Sequence, residues 1–138
     1  MEKQITTAIA RSTNLPISTK FSIEISDFIR NKPLAAARKL LEGVIEKKVV
    51  VPFTKYKKDL SHKKGNVAAG RYPINAAKSF LILLRTVEAN AENKGLNANK
   101  LFITKVISNR GEHRRRYGRK GGKRAKTTHL FIEVQEQW

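Results

Sequence analysis

Between Arg110 and Lys126 the chain carries nine lysines or arginines and a single acid, Glu112, within 17 residues. Arg110, Arg114, Arg115, Arg116, Arg119 and Arg124 outnumber Lys120, Lys123 and Lys126 in this stretch. A guanidinium fork binds phosphate through two parallel N–H bonds and stacks on bases, which an ammonium does less well. Tyr117 lies inside the arginine run, where its ring can stack on an unpaired base or pack on the ribbon that carries it. Gly111, Gly118, Gly121 and Gly122 open the segment to positive φ and to close backbone approach. Arginine, an aromatic and glycine mixed in one segment suit irregular, folded RNA better than a uniform duplex. A second basic cluster, Lys55, Lys57, Lys58, Lys63, Lys64 and Arg71, falls in the polar, aperiodic stretch TKYKKDLSHKKGNVAAGRY. A loop of that length inside a small domain is uncommon and often functional.

Other chemistries find little support. The chain contains no cysteine, so disulfide frameworks and Cys-containing zinc sites are excluded. His62, His113 and His129 fall at no metal-ligand spacing and read as satisfied polar residues. Asp27, Glu42, Glu88 and Glu92 lie on helices whose other faces are apolar, and read as solvent-side residues. There is no nucleophile elbow, phosphate-cradling glycine loop or pair of carboxylates in a shared setting. The expectation is a protein that is not an enzyme, without cofactor, metal or small-molecule substrate.

The whole chain repeats the bias of its basic segment. In 138 residues, 29 Lys or Arg face 11 Asp or Glu, a formal net charge of +18. Such an excess of like charge opposes compaction, whereas a polyanion offsets the repulsion and gains entropy as counterions leave its phosphates. Membranes are also anionic, but no apolar run approaches the roughly 18 residues that span a bilayer. The start, MEKQITTAIARSTN, lacks the apolar core of a secretory signal, so an intracellular location is expected. Nucleic acid is the better partner.

The elements that must position these cations can be read from periodicity. Residues 4–10 suit an edge strand. From Ser18 the apolar residues fit strand alternation or helical spacing; Phe21, Ile25, Phe28 and Ile29, with Ser18 or Thr19 as a cap and Arg30 and Lys32 near the end, favour a helix. Pro33 suits the first turn of a second helix, with a stripe of Leu34, Ala37, Leu41, Val44 and Ile45 and with Lys47 and Lys48 closing its last turn. Residues 49–53 are extended. A third helix runs from Pro73 to about Asn93, its apolar face widened by Phe80, Leu83 and Val87. Strands are predicted over 100–109 and 127–135; in the latter Leu130, Ile132 and Val134 alternate with His129, Phe131 and Glu133. Both strands lead into the basic segment, which contains no aliphatic side chain larger than that of Ala125 and cannot bury a core. Folded back as a ribbon it would reach about 25–30 Å past its base. The chain thus reads as one domain, 1–138, with a basic arm at about 105–130 that is mobile when free and ordered between phosphates. Basic runs of this kind also occur as solvated tails, but tails sit at chain ends, and this run lies between two apolar strands.

Five segments, IRNKPLAAARKLLEGVIEKK (29–48), VPFTKY (51–56), AGRYPINAAKSFLILLRTVEANAENKGL (69–96), RRRYGR (114–119) and TTHLFIEV (127–134), carry a family resemblance. Together they make the chain resemble the universal large-subunit ribosomal protein family numbered twenty-two in bacteria and seventeen in the eukaryotic large subunit. The resemblance implies an α+β fold: three helices on a small three-stranded antiparallel sheet, with a long basic β-hairpin protruding from it. It implies a cytoplasmic structural constituent of the large subunit that binds ribosomal RNA, touches neighbouring ribosomal proteins and supports assembly. The hairpin tip would line the peptide exit tunnel and meet the nascent peptide. The insertion from Val51 to Tyr72 looks like the archaeal and eukaryotic branch, and the lack of a long C-terminal extension leans archaeal. Only Tyr117 separates Arg114–Arg116 from Gly118 and Arg119, so a shorter tip is expected. Two rivals remain: an architectural DNA-binding protein with a β-ribbon arm, and an RNA-processing enzyme. The first lacks the apolar or proline wedge such arms insert; the second lacks an acid/base constellation.

Overall fold

The alternation of Leu130, Ile132 and Val134 is realised in β7 (Thr128–Glu136), the middle strand of an antiparallel sheet, in a computed structural model that describes residues 7–137. On one side of it runs β1 (Thr7–Leu15), on the other β4 (Leu101–Arg110). The expected edge strand is therefore present; it continues to Leu15, and the residues 4–6 assigned to it lie outside the described ones. Three helices follow the predicted spacing: α1 (Thr19–Ile29), α2 (Leu34–Ile45) and α3 (Ile74–Asn93). All cover one face of the sheet. Ala8 and Ala10 of β1 are small enough to let α3 approach closely, and Phe80, Leu84 and Val87 fill the space above them. Ile25 and Ile29 of α1 meet β4, and Leu41 and Val44 of α2 pack toward α3. Each such side chain, fully buried, contributes about 1.5–3 kcal/mol of transfer free energy. The opposite face, with Ile9, Arg11, Ile107 and Phe131, has no helix over it among the described residues; the Arg11 guanidinium lies 5.8 Å from the Phe131 ring centre.

Simple alternation would send Leu101, Ile103 and Lys105 to the core. A β-bulge between Ile103 and Lys105 resets the phase, so that Val106 is buried while the Lys105 ammonium turns outward to Glu133 at 3.1 Å. The extra residue, Thr104, donates its hydroxyl to the Glu133 carbonyl at 3.1 Å. Such an insertion keeps a charge out of the core without breaking the strand.

Helix termini depart from the predicted caps. Ser18 is the N-cap of α1, but its side chain makes no capping bond, and the Thr19 hydroxyl turns to Thr128 instead. Pro33 precedes α2 in extended conformation and bridges to Phe102, one position earlier than expected. Lys47 and Lys48 lie beyond the end of α2, Lys47 at φ 59°. Lys32 folds back to bond the Phe28 carbonyl.

Both outer strands have part of their free edges occupied. The Asn90 amide donates to the Ile9 carbonyl (2.9 Å) and the Lys94 ammonium to the Thr7 carbonyl (2.8 Å) on β1. On β4, Ile103 receives the Asn31 N–H (3.1 Å) and gives its own N–H to the Lys32 carbonyl (3.0 Å).

Where the hairpin leaves the body, a seam of hydroxyls fastens it to α1. The fully buried Thr128 donates its hydroxyl to the Ile17 carbonyl (2.9 Å), so Thr19 must donate to Thr128 (2.9 Å). Ser26 donates to the Ser22 carbonyl, which leaves Ser108 as donor to Ser26 at 2.6 Å. Thr128→Val keeps the shape but strands the Thr19 hydroxyl and the Ile17 carbonyl. It is expected to lower stability by about 1–3 kcal/mol; a chemical-denaturation midpoint equal to that of the parent would contradict the seam's role.

Candidate nucleic-acid interface

The arm continues from β4 and β7. Beyond the Arg110–Thr128 pair the register slips by one residue, four positions advancing on one strand against three on the other, and pairing resumes in β5 (Arg114–Arg115) with β6 (Arg124–Ala125). The slip is accommodated at Gly111. A Cβ there would lie 2.4 Å from the Thr127 hydroxyl oxygen, and the Gly111 N–H reaches the Thr127 carbonyl at 2.9 Å. Thr127 in turn donates to the Glu112 carbonyl at 2.6 Å. At the tip Gly118 adopts φ 59° and opens a single 3₁₀ turn over Gly118–Lys120. Gly121 has φ −59°, and neither it nor Gly122 takes the positive φ that the sequence allowed. Backbone bonds from Arg116 N–H to the Lys123 carbonyl (3.0 Å) and from Lys123 N–H to the Lys120 carbonyl (2.9 Å) close the ribbon.

No side chain from Arg114 to Lys120 is buried, and the Tyr117 ring is 96% exposed, resting on nothing. Arg115, Arg116, Arg119, Lys120, Lys123, Arg124 and Lys126 have no carboxylate within ion-pair reach among the described residues; Arg114 alone meets Glu112, at 3.3 Å. The tip is therefore a ribbon with a paired backbone and unneutralised cations on its surface.

The second basic cluster is divided by its surroundings. After β2 (Val51–Pro52), which pairs with β3 (Gly70–Arg71), the loop turns back over the N-terminal half of α1. One acid on that helix holds it. Glu24, buried to 1% exposure, accepts the N–H groups of Thr54 (3.2 Å), Lys55 (2.8 Å) and Tyr56 (2.9 Å). Lys55 gives its ammonium to Asp27 at 2.7 Å, and Asp27 also binds Arg30 at 3.0 Å. Lys57 sits at φ 52° with its ammonium over the Phe21 ring. Lys63 lies over Tyr72, while Lys58, Lys64 and Arg71 are exposed. Asp27 and Glu88 are thus not the free solvent-side acids expected: each is half-buried in an ion pair, Glu88 with Arg38 at 2.6 Å. Glu42 and Glu92 are exposed as expected.

Loop and arm meet at the arm's root. A groove of about 620 Å³ is lined by Thr19, Lys20 and Phe21 of α1, Tyr56 and Lys57 of the loop, and Asn109, Arg110, His113 and Lys126 of the hairpin. Of the expected cations, Lys57, Arg110 and Lys126 converge here; Lys20 was not anticipated. Its position in the first helical turn, with no acid beside it, was the available signal. His113 accepts a bond from the Arg110 guanidinium on Nδ1 (3.1 Å), which puts the ring proton on Nε2. Burial first, and then the charges of Arg110, Arg124 and Lys126, hold its pKa below the ordinary imidazole value. Among the described residues no cluster of His, Asp or Glu could hold a metal ion, and no helix is long and apolar enough to cross a membrane.

Comparison with known proteins identifies a family of similar sequences. A family model described as ribosomal protein L22p/L17e matches residues 10–135. The large ribosomal subunit protein uL22 of Nanoarchaeum equitans is 43% identical over 132 residues, covering 89% of this chain and 75% of its own. That of Staphylothermus marinus is 42% identical, covering 89% and 85%. The Thermoplasma acidophilum protein of the same name is 40% identical, covering 99% of this chain and 93% of its own.

Proposed function

Because the chain belongs to the L22p/L17e family of ribosomal proteins, and is thereby a structural constituent of the large subunit and not an enzyme, we propose that it binds ribosomal RNA through two surfaces joined at the root of its arm. The arm residues Arg110, Arg114, Arg115, Arg116, Arg119, Lys120, Lys123, Arg124 and Lys126 clamp phosphates within folded RNA, and Tyr117 stacks on an unpaired base. The loop residues Lys55, Lys57, Lys58, Lys63, Lys64 and Arg71 dock the body on RNA at the subunit surface, beside neighbouring ribosomal proteins. Bound in this way, the chain supports subunit assembly in the cytoplasm. The hairpin tip lines the peptide exit tunnel, where the nascent chain passes.

One observation carries this reading. From Arg114 to Lys120 the hairpin buries no side chain, yet it holds five cations and only one of them has an acidic partner among the described residues. Intramolecular packing gives such a tip nothing to do, whereas phosphate neutralisation releases counterions from RNA. Sedimentation of a native lysate with and without ribonuclease tests it. Co-migration with the large subunit that survives moderate salt and disappears after RNA digestion is expected. Release by deoxyribonuclease instead would favour an architectural DNA-binding protein, and turnover of a defined RNA by the pure chain would favour an enzyme.

A further inference from the structure

The groove at the arm's root does more than join two basic surfaces. We propose that it is a receptor for one unpaired RNA nucleotide, with the phosphate held by Lys20, Lys57, Arg110 and Lys126 and the base laid against Tyr56. The inference rests on the RNA-binding reading above and narrows it to a site.

Charge is the first argument. The four cations come from three separate parts of the chain, the first turn of α1, the loop and the two strands of the hairpin, and converge on one recess. None has a carboxylate within ion-pair reach among the described residues, whereas nearby Lys55 and Arg30 are both matched to Asp27. Four unmatched cations around one recess repel each other, and a phosphate inserted among them removes that penalty.

Shape and lining select among polyanions. A duplex offers its phosphates on a convex surface, which a recess of about 620 Å³ does not fit. A splayed nucleotide has the right size for a pocket in the usual ligand range of about 300–1,000 Å³. The lining is suited to a base as well as a phosphate: Phe21, Ile23 and Tyr56 supply apolar and aromatic surface, and the Asn109 amide can bond a base edge. Lys20 already lies 5.8 Å from the Tyr56 ring centre, so cation and aromatic are in register for a phosphate and its base.

Unmet donors complete the case. Among the described residues the first-turn amides of α1 have no acceptor, because Ser18 makes no side-chain cap and the turn holds no acid. The His113 Nε2–H is buried and also lacks an acceptor. Open first-turn amides are general at helix starts, but a buried donor left unpaired is uncommon in a finished fold, and a nucleotide's oxygen is the acceptor that His113 lacks. His113 remains neutral near pH 7 and so adds a donor without adding another positive charge.

Photocrosslinking tests the site. The purified chain is irradiated on large-subunit ribosomal RNA, the complex is digested, and peptides bearing a nucleotide adduct are mapped. Adducts on the Tyr56 peptide are expected. Tyr56→Phe should keep them, and Tyr56→Leu should lose them while adducts at Tyr117 persist. Tyr56→Ala should weaken RNA binding about 5- to 150-fold, the range for one lost stacked base. Lys20→Gln with Lys57→Gln should lower the salt-dependence slope by up to about 0.7, the value for the one single-strand phosphate that they share. Adducts confined to arm peptides, with binding unchanged in the Tyr56 variants, would overturn the receptor and leave the RNA reading intact. A crosslink from Tyr56 to another ribosomal protein in assembled subunits would also overturn it. A chain that retains no RNA would remove both.

Discussion

Replacing Glu24 with alanine is expected to destabilise the chain by about 3 kcal/mol, a large share of the 5–15 kcal/mol that holds a typical domain together. The carboxylate is almost wholly buried and receives three consecutive backbone N–H groups, from Thr54, Lys55 and Tyr56. Bonds to an ionised acceptor are worth about 1.5–3 kcal/mol each, and a buried donor deprived of its partner costs about 1–3 kcal/mol. Three such donors would cost more, but the loop can swing outward and recover part of the loss by hydrating its amides. Glu24→Gln keeps one acceptor oxygen, loses the charge and turns an amide donor toward other donors; about 2 kcal/mol is expected. Denaturant unfolding measures both, and hydrogen exchange at residues 54–56 locates the effect. An alanine variant within 0.5 kcal/mol of the parent, with those amides still protected, would show that Glu24 does not hold the loop. The change also reaches the RNA-binding surface, because releasing the loop withdraws Tyr56 and Lys57 from the groove they share with Arg110 and Lys126.

Changing Arg114, Arg115, Arg116 and Arg119 together to glutamine is expected to have the opposite profile. All four are exposed and none packs on the body, so stability should stay within about 0.5 kcal/mol of the parent. RNA affinity should fall by roughly three orders of magnitude at 0.1 M salt, and the slope of log affinity against log salt should flatten by about 3–4 units, at nearly one unit per lost phosphate contact. A titration at several salt concentrations reads both. An affinity drop with an unchanged slope would mean that the arginines are not on phosphate; an unchanged affinity would remove the arm from the interface altogether.

The two variants also mark what could and could not be read from residue order. β7 and α3 were legible because periodicity records burial directly: Leu130, Ile132 and Val134 repeat every second residue, and Ala77, Leu81, Leu84 and Ala91 follow helical spacing. The arm was legible because nine cations cannot pack. The bulge in β4 was not, since the alternation of Leu101, Ile103 and Lys105 gives no sign that Thr104 will be inserted and Val106 will take the core position. The role of Glu24 depends on amides about 30 residues away. A local signal was nevertheless present: Glu24 lies among Phe21, Ile25 and Phe28 on one helical stripe, and a carboxylate there needs a partner. The division between Lys55, matched to Asp27, and Lys57, left unmatched beside the groove, follows from how the loop crosses α1. The aperiodic spacing of the loop does not encode it.

The blocked strand edges have a bearing on the life of the chain before it meets RNA. Bare outer strands are templates on which identical molecules polymerise. Here Asn90 and Lys94 occupy carbonyls of β1, and the 31–32 segment is hydrogen-bonded to β4 at Ile103. Part of each edge is therefore closed to strand pairing with a second copy, and mutual repulsion at +18 holds copies further apart.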